Sequence, residues 1–464
     1  MNKVLDFTSG ISYKWWLVGG VLIVAPIIGY AASTGRLRTL ALLLLPVGLL
    51  TISILSERLK FWLLAFSIPL SIVQIPSLPI PYGISLCEII LLALTIDELL
   101  FMRNDLGVNI KPLNLKIIIP LGLFTLAGLV APLKYGGISV WHTYCLMPLL
   151  WFFLAYRKIH NQKEAWFFIK ASLLTIISFV VIVVWANGTS HFLSLNLGSD
   201  LYKSRLGYGQ LVELGPIQLT VWSTILGSIV ALGVPACILL WSVQSKGERW
   251  WGTGALLMLA GFGSVLLYSA ARGATVASIL GIILVLFASS RIFSPKILGT
   301  VLILFVVITF LGVTILKLFP EENIQRMQTL LYGIGNIPNL TYRIDSLAFV
   351  WKLTLQNPLG VGFGYLWFTY GIDDSIIYAY ILEATGILGS IAFLMVVVKL
   401  VSKFVMIILN TSVGHTRDFA SLGLSTLAVG LVAGVSSQSI LFEPVHAFIF
   451  WALMAVCYSA VQIP

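Results

Sequence analysis

The sequence predicts an all-α polytopic membrane protein, and three observations carry that prediction. Of 464 residues, 59% are hydrophobic and only 10% are charged, against about 25% charged in soluble domains. Mean hydropathy is +1.00. Apolar runs of the ~20 residues needed to cross a ~30 Å hydrocarbon core recur along the chain. Length alone would favour about three soluble domains, and this composition excludes them.

Taken in order, the spans fall at residues 15–33, 40–55, 61–75, 84–102, 115–131, 139–156, 165–186, 216–241, 250–269, 273–289, 297–317, 376–398, 419–436 and 445–462, fourteen in all. Charge, Pro or Asn/Gly clusters separate them. The second and third are short enough to be re-entrant. The first is longer than a signal-peptide core, so it is expected to remain as an uncleaved span. With the amino terminus inside, one face collects most of the 28 Lys and Arg, among them Lys14, Arg58, Lys60, Arg157, Lys158, Lys246, Arg249 and Arg417. The positive-inside rule makes that face cytoplasmic. The net charge of +10 thus reports sidedness, and no nucleic-acid partner is expected. Arg36 and Arg38 fit this orientation least well.

The chain divides into amino-terminal helices (1–186), a first outward loop (187–215), central helices (216–317), a large outward loop (318–375) and carboxy-terminal helices (376–464). Loops of this length are usually functional or disordered. These two carry enough aromatic area, including Tyr202, Tyr208, Tyr342, Trp351 and Trp367, to form ordered caps with short amphipathic helices. Ile344, Leu347, Trp351 and Leu355 recur at helical spacing and predict a helix over 343–356, stopped by Asn357-Pro358, with its apolar stripe down on the outer interface. Gly360-Val-Gly362-Phe-Gly364 lacks the spacing and the preceding strand of a nucleotide loop and is expected to be a flexible turn. Cys87, Cys145, Cys237 and Cys457 lie in or beside apolar runs without metal spacing, as buried inert thiols would.

Against the charge bias, the outward face keeps Lys203, Arg205, Arg272 and Arg343. Arg272 is the one polar point between two apolar runs, so the hairpin is expected to turn there. It either snorkels to the interface or grips an anion, and its planar fork matches phosphate oxygens. Arg205 precedes a helix expected to begin near Gly215-Pro216, where free N–H groups would favour the same anion. Three outward arginines point to a doubly charged ligand such as a lipid diphosphate. Asp373 and Asp374 stand at the mouth of the next span, either as helix caps or as a general base. Glu383 lies nine residues deeper than Asp374, about 13 Å along a helix, where an ionisable group is usually functional or paired. Tyr342, Glu443 and His446 are secondary candidates. No HExxH, DxD, Walker or Cys/His cluster occurs, so neither a metal nor any other cofactor is expected.

The order Arg205-Leu-Gly, Ser269-Ala-Ala-Arg272-Gly273, Arg343 with Trp351, Asn357-Pro-Leu-Gly-Val-Gly362, then Asp374 to Glu383 and Gly386-Ile-Leu-Gly389 resembles the O-antigen polymerase and ligase family. The resemblance covers roughly residues 200–390. It implies a GT-C-like glycosyltransferase of the bacterial inner membrane, active on the periplasmic or outer face in polysaccharide biosynthesis. Arg205, Arg272 and Arg343 would grip undecaprenyl diphosphate, whose linked oligosaccharide is the substrate, and a chain-length regulator is an expected partner. Ligases of the family carry His-Asn where this chain has Asp374-Ser375, which favours a repeat-unit polymerase. It also leaves the base role of Asp374 open, since a carboxylate near pKa ~3.9 is a weaker base than imidazole.

Two alternatives stand beside the polymerase. An O-antigen ligase or protein O-oligosaccharyltransferase differs only in acceptor. A transporter of an anion or a lipid-linked sugar belongs to another class, marked by internal repeats and helices broken near the midplane.

Overall fold

The structure is a computed structural model and describes residues 55–70, 74–75, 84–100, 115–130, 141–192, 210–214, 217–221, 223–243, 249–269, 272–289, 338–363, 365–370, 376–412, 414–436 and 444–463. The predicted spans 15–33 and 297–317, and all but the last residue of 40–55, lie outside these residues. Each of the other spans contains a helix, and 61–75, 84–102 and 216–241 also include a short strand. In chain order the elements are α1 (Glu57–Leu70), β1 (Gln74–Ile75), β2 (Ile84–Ser85), α2 (Leu86–Leu100) and α3 (Leu115–Val130). A π-helical turn (His142–Leu146) then runs into α4 (Met147–Lys158), followed by α5 (Gln162–Phe192), β3 (Gln210–Leu214) and β4 (Ile217–Val221). The remainder is α6 (Ser223–Ser242), α7 (Arg249–Ser269), α8 (Arg272–Ala288), α9 (Pro338–Gln356), α10 (Tyr365–Tyr370), α11 (Ile377–Asn410), α12 (His415–Ser436) and α13 (Pro444–Ala460).

Helix dominates, with one departure from the sequence reading in the middle of the chain. A helix was expected to begin near Gly215-Pro216. Instead β3 and β4 pair antiparallel, with Leu214 opposite Ile217, and α6 begins only at Ser223. The alternation in Gln-Leu-Val-Glu-Leu and Ile-Gln-Leu-Thr-Val has period two, and Gly-Pro between them suits a two-residue connection. β1 and β2 form a second, shorter antiparallel pair.

Among the described residues, α5 over Gln162–Val181, α11 and α12 over His415–Val435 are long and apolar enough to cross a membrane. Shorter apolar helices lie at Leu115–Val130, Leu226–Ser242, Trp250–Leu266, Gly273–Ala288 and His446–Ala460. Their outward faces fit the same solvent. On α8, Val276, Ile279, Ile283 and Phe287 recur at helical spacing and are all exposed, as are Ile387, Ile391, Leu394 and Val398 on α11. Continuous stripes of this kind are untenable in water and ordinary in hydrocarbon. The chain is a membrane protein.

The core centres on α13, where every residue from His446 to Val461 is buried. A helix apolar all round belongs inside a bundle, and α13 packs against α4, α5, α6 and α12. Close approach relies on small residues, the usual device where lipid removes any hydrophobic drive between helices. At Gly281 a Cβ would fall 2.7 Å from Val429 Cγ2 and 2.9 Å from Pro235 Cγ, and Ser425 donates to the Gly281 carbonyl at 2.6 Å. All four cysteines are buried and free.

Charge collects at one end. Lys60 lies 2.5 Å from Asp97 and 3.2 Å from Glu57; Lys158 lies 2.6 Å from Glu57 and 2.6 Å from Glu98; Arg157 lies 2.9 Å from Glu98. Three carboxylates thus meet three cations from the start of α1 and the ends of α2 and α4. At the same end Arg417 donates to the Ala288 carbonyl at 2.7 Å, closing the last turn of α8. These basic residues are ones the sequence assigns to a single face. Burial raises the Glu57 carboxyl, but its bonds and charges with Lys158 and Lys60 outweigh that and hold it below the ordinary 4.5. A lowered carboxyl stabilises the fold above its unfolded value and loses that contribution as pH falls through the folded one. The stability gap between wild type and Glu57→Gln is therefore expected to shrink below pH 4.5, as read by thermal unfolding in detergent.

Candidate functional site

Opposite the charged end, α11 is interrupted. Gly386 has φ 66° and ψ −163°, a region open essentially to glycine, and divides α11 into Ile377–Thr385 and a segment from Ile387 to Asn410. The second segment, about 36 Å at 1.5 Å per residue, is long enough to cross a bilayer core, so the break lies toward the end of α11 away from the charge cluster. In an unbroken helix the Ile387 N–H would bond the Glu383 carbonyl. Here the turn after α9 takes both groups: Val361 N–H donates to the Glu383 carbonyl at 2.9 Å, and Ile387 N–H donates to the Pro358 carbonyl at 3.0 Å. No backbone group of that pair is left unbonded, which is the condition for irregular structure at membrane depth.

This corrects the flexible turn expected at Gly360 to Gly364. Residues 360–363 are buried, with Gly360 at φ 86° and Gly362 at φ 94°. A Cβ on Gly360 would sit 2.7 Å from the Ala384 carbonyl and the Gly386 nitrogen, and a Cβ on Gly386 would collide with Pro358 and Gly360. The glycines are there so that two backbones can touch.

Glu383 is buried at 1% exposure, and its Oε1 accepts the Leu366 N–H at 2.8 Å, tying α10 to the broken helix. His446 is also buried, its ring edge-on to Phe179 with centroids 6.5 Å apart. Arg272 is the first residue of α8, and α7 ends at Ser269. Tyr342 and Arg343 fall within α9, which begins at Pro338, earlier than expected, and ends at Gln356, where expected. The side chains of Arg272, Tyr342 and Arg343 lie outside the described residues, as do Lys203, Arg205, Asp373, Asp374 and Glu443 entirely. α9 lays Ser346, Val350 and Thr354 against the bundle and leaves Leu347, Trp351 and Leu355 exposed, an arrangement matching an apolar stripe turned to the bilayer interface.

Between α9, α11 and α12 an apolar groove of about 390 Å³ opens to the side, lined by Leu347, Tyr378, Ile381, Phe393, Val397 and Leu431. It follows α11 from Tyr378 to Val397, across the break at Gly386. Arg343 lies on α9 four residues before Leu347 in sequence.

One cluster was not singled out in the sequence. Glu88, in the first turn of α2 and 4% exposed, meets the π-helical turn: His142 Nδ1 is 2.6 Å from Glu88 Oε1, and Thr143 Oγ1 donates to the same oxygen at 2.7 Å. The next residue, Tyr144, joins Phe363 and Tyr380 in a ring cluster with centroids 5.5 Å, 6.2 Å and 5.8 Å apart. The cluster therefore adjoins the turn that stitches α11. The available signal was a π-bulge, frequent at functional sites, which sequence does not announce.

What the fold and site define is a polytopic helical membrane protein with a broken helix, a lateral apolar groove and buried titratable groups at one end. Neither a protein-family model nor a curated protein sequence matches the chain.

Proposed function

We propose that the protein is a repeat-unit polymerase for an O-antigen-type polysaccharide, moving a glycan from undecaprenyl diphosphate to a sugar hydroxyl of another lipid-linked unit at the outer face of the inner membrane. The observation that carries this reading is the groove along α9, α11 and α12. It is apolar and open to the side, as a polyprenyl chain requires, and α9, which lines it through Leu347, also carries Arg343. Arg272, at the start of α8, and Arg205 complete the diphosphate grip suggested by the sequence. Guanidinium groups placed where charge builds on the leaving diphosphate lower the barrier most in a site that excludes water.

Purified protein given undecaprenyl-diphosphate-linked repeat units, without added metal, is expected to build a ladder of longer glycans. Monomer alone after full incubation rejects the polymerase, and a single transfer onto lipid A core or onto a protein hydroxyl selects the ligase or the oligosaccharyltransferase. Arg272→Ala with Arg343→Ala is expected to slow the ladder roughly 10²-fold or more. A specific observation also favours the carrier reading: the break at Gly386, since interrupted helices line many transport paths. Uptake of a labelled anion into proteoliposomes would select it.

A further inference from the structure

We propose that Glu88 and His142 form a proton-accepting dyad, with His142 Nε2 as the base. Within the polymerase reading, on which this second part rests, it deprotonates the acceptor hydroxyl. Three observations combine. His142 Nδ1 lies 2.6 Å from Glu88 Oε1, so a proton must sit between them. Thr143 has a single hydroxyl proton and gives it to that same carboxylate oxygen at 2.7 Å, so its 3.1 Å approach to Nδ1 supplies no second donor. The shared proton thus belongs on Nδ1, and the lone pair is left on Nε2. That nitrogen is buried and has no hydrogen-bond partner among the described residues.

A carboxylate behind Nδ1 fixes the tautomer and steadies the imidazolium that forms when Nε2 takes a proton. Thr143 is the positioning residue, holding the carboxylate from the other side. At the same end of the packed elements, the titratable groups include Cys87 on α2, Tyr144 next to the dyad, Tyr380 and Glu383 on α11 and His446 on α13; Lys116 on α3 and Arg157 and Lys158 on α4 lie at the far end. An imidazole of ordinary pKa ~6.5 is a better base than a free carboxylate near ~3.9, and answers the question Asp374 leaves open.

The step balances. The acceptor O–H bond breaks and its proton passes to Nε2, while the oxygen pair forms a bond to the anomeric carbon. The bond from that carbon to the diphosphate oxygen breaks, and its electron pair leaves with undecaprenyl diphosphate. The imidazolium, balanced by Glu88, returns its proton to water.

Two measurements test this, and the first needs no substrate. Diethyl pyrocarbonate acylates a ring nitrogen that carries a free lone pair, so His142 is expected to be labelled at Nε2, as mapped by mass spectrometry. In Glu88→Gln that labelling is expected to fall several-fold, because an amide can donate to Nδ1 and shift the ring proton to Nε2. The exposed His160 and His415 serve as standards. A His142 that stays unlabelled while both standards react, or labelling equal to wild type in Glu88→Gln, overturns the dyad. The second uses His142→Asn, which keeps an N–H donor toward Glu88 and removes Nε2. Its glycan ladder is expected to slow about 10²- to 10⁴-fold with an unchanged melting temperature. An equal ladder rate shows the pair to be structural and overturns the base role. If wild type builds no ladder, the polymerase reading and the base role within it fail together, and the labelling still decides the dyad.

Discussion

Gly386→Ala is expected to lose most of the folded protein. An L residue at φ 66°, ψ −163° costs about 1 to 3 kcal/mol in backbone alone. The added Cβ also collides with backbone of Pro358 and Gly360, which have no flexible end to move aside. Relief by shifting the turn breaks the bonds from Val361 to Glu383 and from Ile387 to Pro358, each worth about 1 kcal/mol net and more where water cannot replace it. The total reaches roughly 4 kcal/mol or above, in the range of exceptional single substitutions. Gly414→Ala is the control: nothing lies within 4 Å of a Cβ there, and its melting temperature in detergent should match wild type. A Gly386→Ala protein that melts with the control shows that the stitch is not holding the helix.

Lys60→Met is expected to be nearly as damaging. Lys60 and Asp97 are both buried, with side-chain exposures of 8% and 4%. Removing the cation strands a carboxylate whose Oδ1 already has no hydrogen-bond partner among the described residues, and breaking one side of a buried pair costs about 3 to 5 kcal/mol. Replacing both, as Lys60→Met with Asp97→Leu, should recover most of the loss, because a well-packed apolar pair is often neutral or stabilising. If the double variant is as unstable as the single, the damage comes from lost packing of the lysine stem and not from the stranded charge.

Local order was legible where local chemistry dictates it. Asn357-Pro358 ends α9 at Gln356, because Pro bars the preceding residue from the helical region. α7 ends at Ser269 and α8 begins at Arg272, the one charged residue between those two apolar runs. The β3–β4 hairpin was missed because an apolar stretch with Gly-Pro suits a helix start as well as a turn. The glycines after α9 were misjudged for a different reason. Their partner is Gly386, far along the chain, and sequence shows that glycine permits close approach without showing what approaches. The same distance hides the Glu88–His142 pair: an isolated acid and a histidine after tryptophan carry no mutual spacing. Of the proposed diphosphate site, Arg272 and Arg343 find positions in helices α8 and α9, while Lys203, Arg205, Asp373 and Asp374 lie outside the described residues.

The burial of α13 bears on biogenesis. Ribosomes deliver Pro444–Ala460 after every helix that surrounds it, so α4, α5, α6 and α12 enter the bilayer before the element that fills the space among them. Until then acyl chains are expected to fill that space, since they solvate an aliphatic surface well. The docking of α13 is then expected to be a lateral capture in which a later helix displaces lipid from among its predecessors.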